Sequence, residues 1–185
     1  MPRKLSTSLS DLVLALSVVH FVYCVFWENF FAAFGLSIQG MAAGVGVYRF
    51  ALSHPDSSVT NAHTTFSWLA QVAGVPLLGV SFAHNTIPIM VNLNFLFVVC
   101  AVVASRFVDA GLAKLLTEAA SGFGMLTILV VCLRFFNLYG LLGAASYIAS
   151  GLVIGSEGYL HGIPRVDILH YVLAIGNIFF RMALV

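Results

Sequence analysis

Asp167, His170, Ala174, Asn177 and Arg181 follow one another at intervals of three, four, three and four residues. On a helix that spacing puts all five on one face. A carboxylate, an imidazole, an amide and a guanidinium in one line are groups from which proton relays and ion paths are assembled. In an apolar segment they have to face a protein interior or a wet cavity. A second stripe lies near the start of the chain: Ser10, Ser17, His20, Cys24 and Glu28. Shorter sets are Ser67, Gln71, Gly74 and Ser81, then Asn92 with Asn94, then Glu118. From these, Asp167, His170, Asn177, Arg181, His20, Gln71 and Asn92 form the candidate intramembrane polar lining, expected to turn inward.

Metal chemistry is the sharper alternative. If successive apolar runs alternate in direction, His54, Asp56, His63, Glu157, His161, Asp167 and His170 fall at one end of the molecule. A catalytic zinc takes three protein ligands and keeps an open position. The chain has neither a His-x-x-x-His pair nor His-Glu-x-x-His, so no metal and no cofactor are expected. Intramembrane metal hydrolases of the ceramidase and progestin-receptor-like group pair Ser-x-x-x-His on one helix with His-x-x-x-His on the last. Here Asp167-x-x-His170 is followed by Ala174 where the second histidine would stand, and the triad is incomplete. Structural roles account for the same residues. His20 is explained by a hydrogen bond to a neighbour, Glu28 by pairing with Arg134 or Arg181, and Asp167 by its place in the first turn of a helix, where a carboxylate complements the dipole.

The elements that hold these groups follow from composition. Of 185 residues, 61% are hydrophobic and only 8% charged, with a net charge of +1. Soluble domains carry roughly a quarter charged residues, so this chain cannot cover a water-soluble surface. A soluble, a disordered and a nucleic-acid-binding protein are all excluded, the last because no basic field attracts a polyanion. The partner predicted is the lipid bilayer. A span requires about 20 residues, and the apolar runs 9–27, 30–50, 66–83, 87–104, 115–135, 138–155 and 167–185 give seven. The predicted fold is a single all-α transmembrane domain, a polytopic bundle. Links at Glu28-Asn29, at His84-Asn85-Thr86 and around Asn137 are short, whereas 53–65, 105–114 and 156–165 are longer. The runs therefore pair as three tight hairpins followed by a last helix. A six-span count follows instead if 66–83 and 87–104 form a re-entrant pair. The stretch 53–65, rich in Ser, Thr and Asn, reads as a solvated turn.

Lys and Arg set orientation. A cytoplasmic N-terminus puts Arg3, Lys4, Arg49, Arg106, Lys114 and Arg165 on the cytoplasmic side and only Arg134 and Arg181 on the other. The basic start, Met1-Pro2-Arg3-Lys4, leads into a run ending Phe26-Trp27-Glu28, with no small-residue cleavage site. That run is expected to remain as a first helix. Cys24, Cys100 and Cys132 all lie in apolar runs and read as small packing residues. Helices in lipid associate through small residues and interhelical hydrogen bonds. Gly40 with Gly44, and Gly140, Ala144 and Gly151, have the spacing of such seams, within the bundle or at a homodimer face.

Several segments carry a family resemblance: Ser6-Thr7-Ser8-Leu9-Ser10 with Leu12-Val13-Leu14 and His20; Val75-Pro76-Leu77-Leu78; Asn137-Leu138-Tyr139-Gly140 with Gly143-Ala144; and Asp167 with Leu173-Ala174-Ile175-Gly176. In these the chain resembles the transmembrane protein 276 type family of small multi-pass animal membrane proteins. The resemblance implies a polytopic membrane protein and supplies no activity or site. The function expected is a non-enzymatic intramembrane scaffold or partner-binding component. A small-solute or proton pathway along the last helix and a metal-dependent lipid hydrolase are the alternatives. Spans near the minimum length suit a thin bilayer such as the endoplasmic reticulum.

Overall fold

The computed structural model describes residues 4–185; Arg3, counted above toward orientation, lies outside them. Among the described residues are seven helices: α1 (Leu5–Val25), α2 (Phe30–Ala51), α3 (Ser57–Ala83), α4 (Pro88–Ala104), α5 (Ala110–Arg134), α6 (Leu138–Ile154) and α7 (Arg165–Leu184). By length and composition α1, α2, α3, α5 and α7 are long and apolar enough to cross a membrane, and α4 and α6 are shorter apolar helices. Polarity is arranged for lipid. Leu16, Val19, Leu96, Val99, Leu133 and Val153 point outward, while Ser10, Asp11, Asn94, Thr127 and Asn177 are buried. With no water in a bilayer core, polar groups go inside and apolar ones cover the outside.

Six helices close a ring in the order α1, α2, α3, α5, α6, α7, and α4 lies outside it against α3 and α5. The ring is filled rather than open, by Phe21, Leu36, Leu78, Ile128, Tyr147 and Phe180 among others. Cross-contacts fix the directions. Lys4 N–H donates to the Phe50 carbonyl at 3.1 Å, so α1 and α2 are antiparallel. Pairs Trp68–Thr117 and Gly79–Gly124 advance together, so α3 and α5 run parallel.

The centre of the packing is α3, which is squeezed from two sides. A Cβ on Gly35 would stand 2.6 Å from the Gly74 carbonyl oxygen, and one on Gly79 would stand 2.8 Å from that of Gly124. Backbones therefore touch at both crossings, and neither can admit a side chain. At the first of them, Ala70–Gly74 is a π-helical turn leading into Pro76. Proline lacks the N–H that an α-helix would use at that point, and a widened turn is one way a helix absorbs it.

Turn chemistry closes the ends. Asn29 Oδ1 accepts from Ala32 N–H at 3.2 Å, and its Nδ2 donates to the Ser81 carbonyl at 3.2 Å. Asn137 repeats the device: Oδ1 accepts from Gly140 N–H and Nδ2 donates to the Ala183 carbonyl, both at 3.0 Å. Each asparagine caps the helix that follows it and ties the turn to a third helix. At the opposite end Tyr159–Leu160 pairs antiparallel with Ile163–Pro164. His161 and Gly162 between them both have positive φ, 50° and 83°, as a tight two-residue hairpin turn requires.

Three expectations are corrected. The stretch 53–65 is not a loop: α3 begins at Ser57, Asp56 occupies its N-cap position, and hydroxyl side chains such as Thr64 bond back to the helix backbone. Polar composition had marked exposure, and an exposed first turn of a helix is equally polar. Likewise α5 starts at Ala110, where Asp109 Oδ1 accepts from Gly111 and Leu112 N–H. Of the expected seam residues, Gly40 lies on Val18, Gly140 on Cys132 and Phe82, and Ala144 is buried, but a Cβ on Gly44 or Gly151 would meet nothing within 4 Å. The close approaches fall instead at Gly35, Gly46, Gly74, Gly79, Gly124, Gly143 and Gly176. Glycine spacing marks a candidate face, and the neighbour decides which glycine is needed.

Gly79→Val is expected to destabilise the detergent-purified protein by about 3 kcal/mol or more through overpacking against backbone. Gly122→Ala, with open space around it, is expected to stay within about 0.5 kcal/mol of wild type. Unfolding midpoints of the two variants side by side check this.

Candidate functional site

The buried face of α7 divides into two polar groups. The first gathers Ser10 and Asp11 of α1 with Asp167 and His170 of α7, exposed by 0%, 1%, 2% and 9% respectively. Ser10 Oγ lies 3.0 Å from His170 Nδ1, 3.4 Å from Asp167 Oδ1 and 3.0 Å from the Thr7 carbonyl. Asp11 Oδ1 lies 3.5 Å from the same His170 Nδ1. Gly46 of α2 backs the Asp11 carboxyl, and a Cβ there would collide with it. Two buried oxygens here, Asp11 Oδ2 and Thr7 Oγ1, have no hydrogen-bond partner.

The second group lies deeper along α7 and joins four helices. Asn177 Nδ2 donates to Ser17 Oγ at 3.0 Å and to Gln39 Oε1 at 3.1 Å. The Tyr147 hydroxyl is shared between Asn177 Oδ1 at 2.5 Å and Gln39 Oε1 at 3.0 Å. Ser17 passes its own proton to the Leu14 carbonyl at 2.7 Å. Asn177 thereby binds α1, α2 and α6 to α7. Between the two groups Ala174 packs on Leu14 and Ala43, with Ala15 and Leu173 against them. A dry layer separates the polar ends of one stripe.

The first group contains the residue types of a nucleophilic triad without its geometry. A serine hydrolase needs the imidazole to hold a carboxylate through one nitrogen and serve the serine through the other. Here Ser10 and Asp11 both meet Nδ1. Among the described residues, no group of three His, Cys, Asp or Glu is arranged to hold a metal ion. His54, Asp56, Glu157 and His161 are exposed, and His63 is taken by Arg49, whose Nη1 lies 2.8 Å from His63 Nδ1.

Of the residues expected to turn inward, Asp167, His170 and Asn177 do so, and Arg181 is half-buried with a buried, unpartnered Nε. Three do not. His20 is exposed and, among the described residues, has a hydrogen-bond contact only with Cys24, at 4.0 Å. The inward arc of α1 centres on Leu14, Phe21 and Val25, and His20 falls about 120° round from it at about 100° per residue. Ser17 already stands at the edge of that arc, and the three-residue step from it turns His20 about 60° further away. Gln71 is exposed within the π turn of α3. Asn92 is exposed, and Asn94 takes the inward position, donating to Thr127 Oγ1 at 2.9 Å and the Met90 carbonyl at 2.8 Å. Glu118 pairs on the surface with Lys114 at 3.8 Å. Glu28 is exposed and, among the described residues, has no ion pair with Arg134 or Arg181.

Asp11 escaped the sequence reading. Its signal was present: a carboxylate inside the first apolar run, beside Ser10, and one turn of helix from Thr7.

Over 181 residues, human transmembrane protein 276 is 30% identical to this chain, with 93% of the chain and 88% of that protein covered. The chain belongs to the transmembrane protein 276 family. No family model matches the sequence, and no solved structure matches the chain. Membership makes this a multi-pass membrane protein, in agreement with the apolar helices, and the family name carries no activity to the buried groups. The family segments singled out in the sequence lie at joints of the bundle: Ser10 and Asp167 in the first polar group, Pro76 against Gly124, and Asn137 at its cap.

Asn177→Leu leaves Tyr147, Gln39 and Ser17 without their common partner. It is expected to cost on the order of 2 kcal/mol, whereas Asn92→Leu on the exposed face is expected to stay within about 0.5 kcal/mol of wild type. Equilibrium unfolding in mixed micelles reads both.

Proposed function

We propose that the protein is a non-enzymatic component of its membrane, a compact scaffold that binds a membrane-protein partner or a second copy of itself. The observation supporting this is the use made of the polar stripe. Asn177 is spent on hydrogen bonds between helices, and Ala174 with Leu14 and Ala43 interrupts the line toward His170. A through-membrane pathway needs continuity, and a hydrolase needs a nucleophile aligned with its base; the stripe serves packing better than either. In this reading all seven helices span, with the N-terminus cytoplasmic. Lys4, Arg49, Arg106, Lys114 and Arg165 then lie at the cytoplasmic end, which agrees with the positive-inside rule.

Two measurements test it. Single cysteines at Ser57 and Glu157 are expected to be labelled from the cytosol, and one at Thr86 only after the membrane is opened. In mild detergent the native mass is expected to show one stoichiometric complex larger than the monomer. A monomer that carries ions or small solutes across liposomes would replace the scaffold by the pathway.

A further inference from the structure

We propose that Asp11 is a proton-binding position and that His170 delivers the proton to it. Two carboxyl groups share one buried cluster: Asp11 meets the His170 imidazole, and Asp167 meets Ser10, which meets the same imidazole. Charged groups on the other helices packed here are Arg49 of α2 and His63 of α3, and these are engaged with each other at 2.8 Å. No lysine or arginine forms an ion pair with either carboxyl among the described residues. In a dry setting two carboxylates without an ion-paired cation are costly, and groups this close share protons instead of titrating separately.

The acidic pair is not the whole case. Asp11 and Thr7 are each 1% exposed, on the same face of α1 one turn apart, and Asp11 Oδ2 and Thr7 Oγ1 are both without partners. A buried carboxylate with an oxygen that receives no hydrogen bond is poorly stabilised as the anion, so Asp11 is the carboxyl that gains by taking a proton. Access is graded in the same sense. The His170 side chain retains 11% exposure against 2% for Asp11, so the imidazole is the member that an incoming proton reaches.

The transfer balances within these residues. Neutral His170, protonated at Nδ1, accepts a proton at Nε2 and becomes imidazolium. It then releases the Nδ1 proton to Asp11 Oδ1, its ion-pair partner at 3.5 Å, as the two close to hydrogen-bonding distance. The imidazole is neutral again, now protonated at Nε2, and Asp11 is a carboxylic acid. Ser10, 3.0 Å from Nδ1, donates to that nitrogen once it is bare. The net change is one proton bound and one buried negative charge removed from the contact of α1 with α7. The dry layer at Ala174 confines the exchange to one end of the bundle.

Infrared difference spectra of the full-length protein in lipid nanodiscs, alkaline against acidic buffer, test the proposal. A carboxylic acid in dry surroundings has a carbonyl stretch displaced from that of a solvated one. Asp11 is thereby read apart from Glu28, Asp56, Asp109, Glu118 and Glu157, which are all exposed. One displaced band is expected on acidification, lost in Asp11→Asn and kept in Asp167→Asn. After a pH jump it should form about 100-fold more slowly in His170→Gln. Absence of any displaced band from the wild-type protein overturns the proposal without recourse to a variant that has to fold. So does a band kept in Asp11→Asn, or one abolished when sodium replaces choline at fixed pH, which would make the occupant a metal cation.

Discussion

The side chain of Asn177 has no exposure, and its hydrogen bonds reach Ser17, Gln39 and Tyr147 on three other helices. Lipid chains are as apolar as leucine, so burial of leucine against leucine does little to choose one helix arrangement over another in a bilayer. A polar amide does choose, because in hydrocarbon it has nothing else to bond. The arrangement of α1, α2, α6 and α7 follows from satisfying that one residue. Trp68 with Thr117 does the same between α3 and α5 in the other half of the ring, and Asn94 with Thr127 fixes α4 on its outside.

Short polar side chains can meet at about 3 Å only if the helices that carry them come close. The glycines supply that approach. Gly176 lies against Tyr147, Gly143 against Phe180 and Gly40 against Val18, all beside the Asn177 group, and Gly46 lies against Asp11 in the other. Around α3, Gly35 with Gly74 and Gly79 with Gly124 bring backbones into contact. Hydrogen bonds choose the partners and glycines set the distance; neither suffices alone.

Much of this was legible in the sequence. Apolar runs located the helices because a run that must lie in hydrocarbon cannot contain many charges. Asp167, His170 and Asn177 were placed inward because their spacing on α7 keeps close to the helical period. The same rule misplaced His20, which a three-residue step from Ser17 carries past the edge of the buried arc, and it favoured Asn92 over Asn94, two residues apart and both amides. Asp11 was hidden for another reason: it interrupts a run instead of repeating in one, and its significance comes from Asp167, 156 positions later. The start of α3 was obscured by polar residues that suit an exposed helix turn as well as a loop. Contacts distant in sequence, and faces separated by one or two residues, are what periodicity cannot resolve.

Ala174 marks the difference between a stripe and a path. Had this position carried a polar side chain, the face of α7 would run unbroken from Asp167 to Arg181, and a proton at His170 would have a neighbour to move to. With a methyl group packed on Leu14 and Ala43, there is no donor or acceptor between His170 and Asn177 on that face. The consequence differs for the two halves. The Asn177 group, cut off and saturated with partners, is fixed and contributes to holding the helices together. The Asp11 group includes His170, the most exposed member of that cluster, and has oxygens to spare, so a change of charge there acts on the seam between α1 and α7 without being relayed onward.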